Sequence, residues 1–159
     1  MRTDRRLALI LALMGLVLAP AAFAHCQIPC GIFDDDARFA EMREHVTTIE
    51  KSMRQIDEIG AQEKPNWNQL VRWVDNKDHH ADELSEIATY YFLAQRIKPP
   101  AEGDDAATKK YLHELTLLHH VMVHAMKSKH GTDQTNIAKL HELIDAFEKS
   151  YKGEHGHAH

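Results

Sequence analysis

Cysteine is the scarcest informative residue in this chain of 159 residues, because only Cys26 and Cys30 are present and they lie four positions apart. A disulfide between them would close a very small loop and would contribute little to holding a fold together. Proline and glycine are also too few, at five and seven, for a fibrous or low-complexity protein. The length is sufficient for one globular domain and too short for two.

The chain also lacks an excess of positive charge. Its formal net charge is −5, and its first 24 residues carry three Arg and one Asp, so the remainder alone carries −7. Nucleic-acid binding depends on neutralising phosphates with basic side chains. We therefore expect no nucleic-acid partner, and an anionic partner would require a local basic patch.

A long apolar run occurs only near the N-terminus, where "LALILALMGLVLA" follows Arg2, Arg5 and Arg6 and precedes the small-residue stretch "AFA". This order predicts a signal peptide over residues 1–24, cleaved after Ala24. The run is shorter than the ~20 residues of a membrane span. We expect export to a bacterial periplasm and no membrane attachment of the mature form. A permanent N-terminal anchor and twin-arginine export are the alternatives.

Beyond that segment, apolar residues recur at steps of three and four, which predicts amphipathic helices and no strands. Four such stripes are present: Phe39, Met42, Val46, Ile49, Met53, Ile56 and Ile59; Trp67, Leu70, Val71, Val74, Ala81, Leu84, Ala88 and Tyr91; Leu112, Leu115, Leu118, Met122 and Met126; Ile137, Leu140, Ile144, Phe147 and Tyr151. Gly60 with Pro65, the stretch "KPPAEGDD" and Gly131 separate them. Met and aromatic residues in these stripes are interpreted as core or oligomer contacts.

Short connections between helices favour antiparallel neighbours. The predicted fold is therefore all-α, an up-down-up-down four-helix bundle over residues 35–151 with an irregular N-terminal metal-binding segment before it. We call residues 25–34 the hook. Residues 152–159 form a polar tail that contains His155, His157 and His159. This tail is predicted to be flexible, and a weak metal-capture role is the alternative.

The hook follows the predicted cleavage site, as "AFAHCQIPCGIF" over residues 22–33 shows. A disulfide, a dithiol redox pair and a structural zinc site are three possible readings of its cysteines. Dithiol redox pairs normally have two intervening residues, and the pair here has three. A structural zinc site requires four ligands, and His25, Cys26 and Cys30 provide three.

Cleavage would itself create a ligand, because it frees the α-amino group of His25. That amine, the deprotonated amide nitrogen of Cys26 and the two cysteine thiolates make four donors, and linked chelate rings would hold them near one plane. The imidazole of His25 can reach an axial position. A planar set of two nitrogens and two sulfurs selects Ni(II) or Cu(II) over zinc.

The sequence His25-Cys26-x-x-Pro29-Cys30-Gly31 resembles the N-terminal nickel hook of the nickel superoxide dismutase family, and "NQLVRWVDNKDHHA" resembles the second helix of that family. The resemblance implies one nickel ion per subunit, bound by His25, Cys26 and Cys30, which would also be the catalytic residues. It implies a homohexamer that converts superoxide to O2 and H2O2 by Ni(II)/Ni(III) cycling.

Three further positions around the metal follow from the same resemblance. Glu41 matches a glutamate that hydrogen-bonds the axial imidazole. His80 stands where some members of the family have an arginine, and Phe33 replaces a tyrosine.

An exported nickel or copper carrier without turnover, or a plain disulfide-bonded helical bundle, are the alternative functions. Elsewhere, His120 and His124 are four residues apart on a predicted helix, a spacing that can bind a metal, although no acidic or cysteine partner is evident nearby. Adjacent His79 and His80 would point to different helix faces and would chelate poorly together.

Overall fold

The computed structural model describes residues 35–153, which form four α-helices and no β-strand. Helix α1 spans Asp35–Gly60, α2 spans Trp67–Glu86, α3 spans Asp105–Lys129 and α4 spans Thr135–Lys152. A π-helical segment, Ile87–Arg96, continues directly from α2. Within the described range, no helix has the combination of length and apolarity that a membrane span requires.

Side-chain caps define where two of the helices begin. The side chain of Asn66 accepts a hydrogen bond from the backbone N–H of Gln69 at the start of α2, and Asp104 accepts one from Ala107 at the start of α3. These bonds satisfy backbone donors that a helix leaves unpaired in its first turn. Gly103 precedes the second cap with a φ of 85°, a left-handed conformation that favours glycine.

Each helix packs against the next along the chain, and α4 packs back against α1. The result confirms the predicted up-down-up-down four-helix bundle. Its core is contiguous and includes residues from all four helices and the π-helical segment. The hydrophobic burial of these side chains is the main favourable contribution to folding.

An aromatic cluster fills the end of the core where α1 begins. The rings of Phe92 and Phe147 are 4.8 Å apart and nearly perpendicular at 88°, and Phe39 lies 5.0 Å from Phe92. Tyr151 closes the cluster, 5.7 Å from Phe147. Edge-to-face contacts of this kind add stability beyond the area that the rings bury. The cluster therefore joins the first turns of α1 to the π-helical segment and the last turns of α4.

The predicted stripe on the third helix is wrong only at its two ends, since Leu115 and Met122 are partly buried and pack against the core. Leu118 is fully buried, but Leu112 and Met126 are 55% and 50% exposed. The buried face of α3 instead carries Glu114, Leu117, Leu118, Val121, Ala125 and Ser128. Apolar residues cover a wide arc of this helix. A stripe drawn at steps of three and four can therefore include residues on the solvent-exposed side as well as residues of the core. Trp67 and Val71 at the start of α2 are exposed for the same reason, at 67% and 55%.

The π-helical segment is a second departure from expectation, since the sequence predicts an uninterrupted α-helix up to the prolines. Its last turn closes with a hydrogen bond from the N–H of Ile97 to the carbonyl of Phe92, five residues back, at 2.9 Å. Stretches of π-helix are rare and frequently occur at functional sites. Here the segment carries Tyr91 and Arg96, which contact the start of α1 as described below.

A buried lysine ties α2 to the end of α3. Lys77 is 2% exposed, and its ammonium donates to the carbonyls of Ser128 at 2.8 Å and Lys129 at 2.7 Å. It also pairs with the carboxylate of Asp78 at 2.7 Å. A cation at this position satisfies free carbonyls of the last turn and complements the negative end of the helix dipole.

Substituting Lys77→Met should lower the free energy of unfolding by about 1–3 kcal/mol, because two carbonyls lose a charged donor while the aliphatic volume is kept. Urea unfolding followed by circular dichroism measures this change. Lys139→Met is the matched control, since Lys139 forms an exposed ion pair with Glu142 and should change stability by less than about 1 kcal/mol. Equal losses in the two variants would contradict the capping role of Lys77.

Candidate metal centre

The described residues do not include the predicted metal ligands, His25, Cys26 and Cys30, or the predicted neighbour Phe33. Their distance from the bundle is nevertheless bounded by the chain. Cys30 precedes Asp35 by five residues, and five extended residues span at most about 18 Å. The surroundings of the first turn of α1 are therefore the part of the described structure that bears most directly on the metal site.

Asp35 anchors this first turn. Its carboxylate accepts hydrogen bonds from the hydroxyls of Tyr91, at 2.5 Å, and Tyr151, at 2.8 Å. The guanidinium of Arg96 lies 3.1 Å from the same carboxylate. Both carboxylate oxygens are thus engaged, and bonds to an ionised acceptor are stronger than neutral ones. Asp35 consequently links α1 to the π-helical segment and to α4.

The two tyrosines remain protonated donors over a wide pH range. Burial raises the pKa of Tyr151 far above its ordinary value of 10.0, and the hydrogen bond to Asp35 raises it further. Burial and then the hydrogen bond to Asp35 also raise the pKa of Tyr91. In both cases the environment disfavours a second negative charge beside the carboxylate.

Glu41 is held by Arg38, one turn earlier on α1. A guanidinium nitrogen of Arg38 lies 2.5 Å from the Glu41 carboxylate, and the guanidinium also lies over the ring of Tyr91, 5.2 Å from its centroid. The Arg38 side chain is 12% exposed and that of Glu41 is 40% exposed. Glu41 therefore offers a fixed and partly accessible carboxylate about 9 Å along the helix from Asp35.

His80 does not stand alone, because the structure places it against His45 of α1. The two Nδ1 atoms are 2.8 Å apart, and the ring centroids are 5.1 Å apart. His45 is only 6% exposed. It lies one helical turn beyond Glu41, so the histidine pair and Glu41 occupy neighbouring positions on α1.

Both imidazoles of this pair resist protonation. Burial lowers the pKa of His45 below its ordinary value of 6.5, and the neighbouring His80 lowers it further, while Glu41 opposes the shift. Burial also lowers the pKa of His80, and His79 adds to that effect. The pair is therefore neutral at pH 7.

The sequence predicts Glu41 and His80 as site residues. It does not predict that Arg38 contacts Glu41 or that His45 contacts His80. It also does not predict the contacts of Asp35 with both tyrosines. The Arg38–Glu41 pair had a local signal, since residues three apart on a helix are neighbours. The contacts of Asp35 had none, because 56 and 116 residues separate it from Tyr91 and Tyr151.

Across residues 35–153, no three His, Cys, Asp or Glu side chains form a group that could hold a metal ion. His120 and His124, four residues apart on α3, belong to no such group among the described residues. His124 instead lies 3.0 Å from the side-chain oxygen of Asn136, across the connection between α3 and α4.

The described residues near the start of α1 offer surroundings that suit the donors predicted for the hook. Metal-bound imidazoles normally donate their second ring N–H to a carboxylate or carbonyl. Glu41 is a carboxylate of this kind, oriented by Arg38. The amine, amidate, thiolate and imidazole donors of His25, Cys26 and Cys30 match the preferences of Ni(II) or Cu(II), so the residues present fit a nickel ion.

Comparison with known proteins identifies the family to which these features belong. The family model of nickel-containing superoxide dismutase matches residues 20–155, which include the hook and all four helices. Neither the curated proteins nor the solved structures contain a match to the chain.

The tyrosine contacts of Asp35 predict a loss of stability at alkaline pH. The folded-state pKa values of Tyr91 and Tyr151 are raised, so their contribution is fully present below about pH 10 and is lost as the pH rises above it. Thermal unfolding between pH 8 and about pH 11 should therefore show a falling midpoint.

Tyr151→Phe should weaken that pH dependence and lower stability at pH 7 by about 1–3 kcal/mol, because the bond to a charged acceptor is lost. Tyr90→Phe is the control, since the Tyr90 residue is 40% exposed. A wild-type midpoint that is flat through this range, or a Tyr151→Phe variant with an unchanged slope, would contradict the assignment.

Proposed function

Because the chain belongs to the nickel-containing superoxide dismutase family, we propose that its hook, exposed by cleavage after Ala24, is the site at which superoxide is converted to O2 and H2O2. Superoxide dismutation with a nickel cofactor is the activity of the family. The observation that carries the assignment to the hook is that the family match includes His25, Cys26 and Cys30. Neither the fold nor the family favours a carrier without turnover.

The ligand set we propose consists of the His25 amine and imidazole, the Cys26 amide nitrogen and the thiolates of Cys26 and Cys30. One nickel ion per subunit bound there would supply one-electron chemistry by cycling between Ni(II) and Ni(III). The role of the chain is to provide anionic sulfur and nitrogen donors, which favour the higher oxidation state, and to keep the imidazole oriented.

Glu41 is proposed to orient that imidazole by accepting a hydrogen bond from its free ring N–H. Two features of α1 support this role. Arg38 fixes the carboxylate of Glu41, and Asp35 fixes the first turn of the helix from which the hook extends. Phe33 lacks the hydroxyl that the resemblance leads us to expect, so we assign it steric contact with small molecules and no hydrogen bond.

Export to a bacterial periplasm, with removal of residues 1–24, is part of the same proposal. Cleavage matters chemically because the α-amino group of His25 becomes a donor only once the preceding peptide bond is broken. The charge order and the apolar run of the first 24 residues support this processing. Mass spectrometry of the purified protein identifies the first residue directly.

We also propose a homohexamer. Several large apolar side chains of the described bundle are exposed, and a second copy of the chain would cover them: Trp67, Val71, Tyr90, Leu112 and Met126. Trp67 and Val71 are four residues apart and share one face of α2. Light scattering of the nickel-loaded protein measures the number of subunits, and a monomer would contradict the proposal.

An acidic protein that consumes an anion needs a local region of positive charge. A cavity of about 290 Å³ meets this requirement beside the start of α1, with Arg96, Lys98 and Lys110 in its lining. Among the described residues that line it, Glu114 is the one acidic residue, and it lies 3.7 Å from the ammonium of Lys110. Tyr151 connects the cavity to Asp35. We propose that superoxide approaches the metal centre along this side of the bundle.

Retaining Ala24 on the mature chain should abolish dismutase activity, because the amine is displaced from the chelate. The comparison protein is the chain that begins at His25, prepared and loaded with nickel in the same way. Nickel content, superoxide consumption and the electron paramagnetic resonance spectrum are measured on both. The wild-type spectrum should show Ni(III) with coupling to a ligand nitrogen, which the imidazole of His25 would supply.

Full activity in the Ala24-extended protein would refute the proposed ligand set. Full nickel loading of the correctly processed protein without superoxide consumption would refute the dismutase function at this site.

Replacing Lys98 and Lys110 together by Gln should lower the second-order rate constant with superoxide at low salt by a factor on the order of three to ten, since the steering field is reduced. The dependence of the rate on ionic strength should weaken in parallel. Lys139→Gln is the matched control, because this exposed lysine lies on α4 and pairs with Glu142. Because the first variant removes two charges and the control removes one, an equal effect per removed charge would mean that only net charge matters.

A further inference from the structure

The hydrogen bond between His45 and His80 requires one proton between two like atoms. Their Nδ1 atoms lie 2.8 Å apart, so one of them must carry a hydrogen and the other must present a lone pair. A neutral imidazole protonated at Nδ1 has a bare Nε2, and the reverse also holds. The pair can therefore adopt two neutral arrangements. In one, His45 is protonated at Nδ1 and His80 at Nε2. In the other, His45 is protonated at Nε2 and His80 at Nδ1.

The surroundings of His45 distinguish the two arrangements. Its Nε2 atom is buried and has no hydrogen-bond partner within residues 35–153. An N–H group there would be an unsatisfied buried donor, and such donors are rarer in folded proteins than unsatisfied acceptors. His45 therefore favours a bare Nε2 and a proton on Nδ1. His80 then accepts at Nδ1 and carries its own proton on Nε2.

We propose that His45 is a positioning residue for the nickel site. It fixes His80 as the Nε2–H tautomer, so that α2 presents a hydrogen-bond donor beside His45, which is itself one helical turn beyond Glu41. This inference rests on the proposed function, in which Glu41 orients the metal-bound imidazole. The bond also joins α1 to α2 beside that carboxylate, so it holds the two helices in register at the site.

Protonation of the pair opposes this arrangement. Two carboxylates on α1 and two groups on α2 act on the imidazoles: Glu41 and Glu44, and His79 and Glu83. The carboxylates favour a cation, but burial outweighs them and lowers the pKa of both rings. An additional proton removes the acceptor at Nδ1 and leaves two N–H groups facing each other.

The sign of the resulting pH dependence is defined. Because the folded-state pKa values lie below the ordinary value of 6.5, the stability contributed by the pair is complete above about pH 6.5 and is lost as the pH falls. The acidic limb of the activity profile should reflect the same titration.

Nitrogen NMR spectroscopy of the whole reduced protein tests the tautomer directly, because protonated and bare ring nitrogens have different chemical shifts. We expect a proton on Nδ1 of His45 and on Nε2 of His80. The exposed His79, next in sequence to His80, is the internal control and should show rapid exchange between tautomers. A proton on Nδ1 of His80 would overturn the proposal.

Variants separate positioning from simple packing. His45→Leu should lower kcat/KM by a factor on the order of ten, as is typical of residues that orient a metal ligand from outside its coordination shell. His45→Asn keeps a donor near the position of Nδ1, so it should recover most of this loss and retain the Nε2–H signal of His80. His113→Leu, at an exposed histidine of α3, should match the wild type. Equal losses in the Leu and Asn variants would overturn the proposal.

These measurements can contradict the role of His45 without contradicting the proposed function, and the reverse also holds. The tautomer of His80 and the change in unfolding midpoint between pH 7 and pH 5 can be measured without any assay of superoxide. Should the Ala24-extended enzyme be fully active, the ligand set is refuted while the tautomer result stands. Should His80 prove to be the Nδ1–H tautomer in an active enzyme, only the role of His45 is refuted.

Discussion

The carboxylate of Asp35 is the contact on which the arrangement of this site depends. It accepts from Tyr91 and Tyr151 and pairs with Arg96, so three separate parts of the bundle meet at the first turn of α1. A helix end is ordinarily the part most prone to fraying. Here it is tied down at the point from which the hook extends, and this gives a short N-terminal segment a defined base.

Two kinds of contact surround this base, one between charged groups and one between neutral imidazoles. Arg38 links Glu41 to Tyr91 by an ion pair and a ring contact, so the glutamate and the Asp35 anchor share one network. His45 and His80 form a second, neutral link between α1 and α2. An ionised hydrogen bond at Glu41 and a neutral one at His45 thus lie within two turns of α1. Because the histidine pair is uncharged, it adds no positive charge beside the carboxylate of Glu41.

Much of the fold could be predicted from local sequence, and the proposed ligands of the site also come from a local pattern. Helix ends near Gly60, Pro99 and Gly131 are signalled by residues that interrupt helices. The proposed ligands of the hook lie within six consecutive residues, His25 to Cys30. Such features need no knowledge of tertiary structure.

What could not be predicted depends on contacts between distant residues. The face of α3 that is buried is decided by its neighbours, because apolar residues such as Leu112 and Leu117 both lie on possible core lines. The π-helical turn has no clear sequence signature, and the His45–His80 contact joins residues 35 positions apart. For His80 in particular, the sequence places the residue among the site candidates and leaves its contact with His45 unpredicted.

The meeting of α1 with α4 has a consequence for the order of events during synthesis. Tyr151 binds Asp35, and Lys152 pairs with Asp36, so the first turn of the bundle is completed by its last turn. During synthesis, the first of these two turns is made at the beginning of the bundle and the other at its end. The base of the hook therefore cannot form before residues 151 and 152 have been synthesised, and a metal ion captured earlier would be held by an unanchored peptide. By this geometry, maturation of the centre follows the synthesis of the last turn of α4.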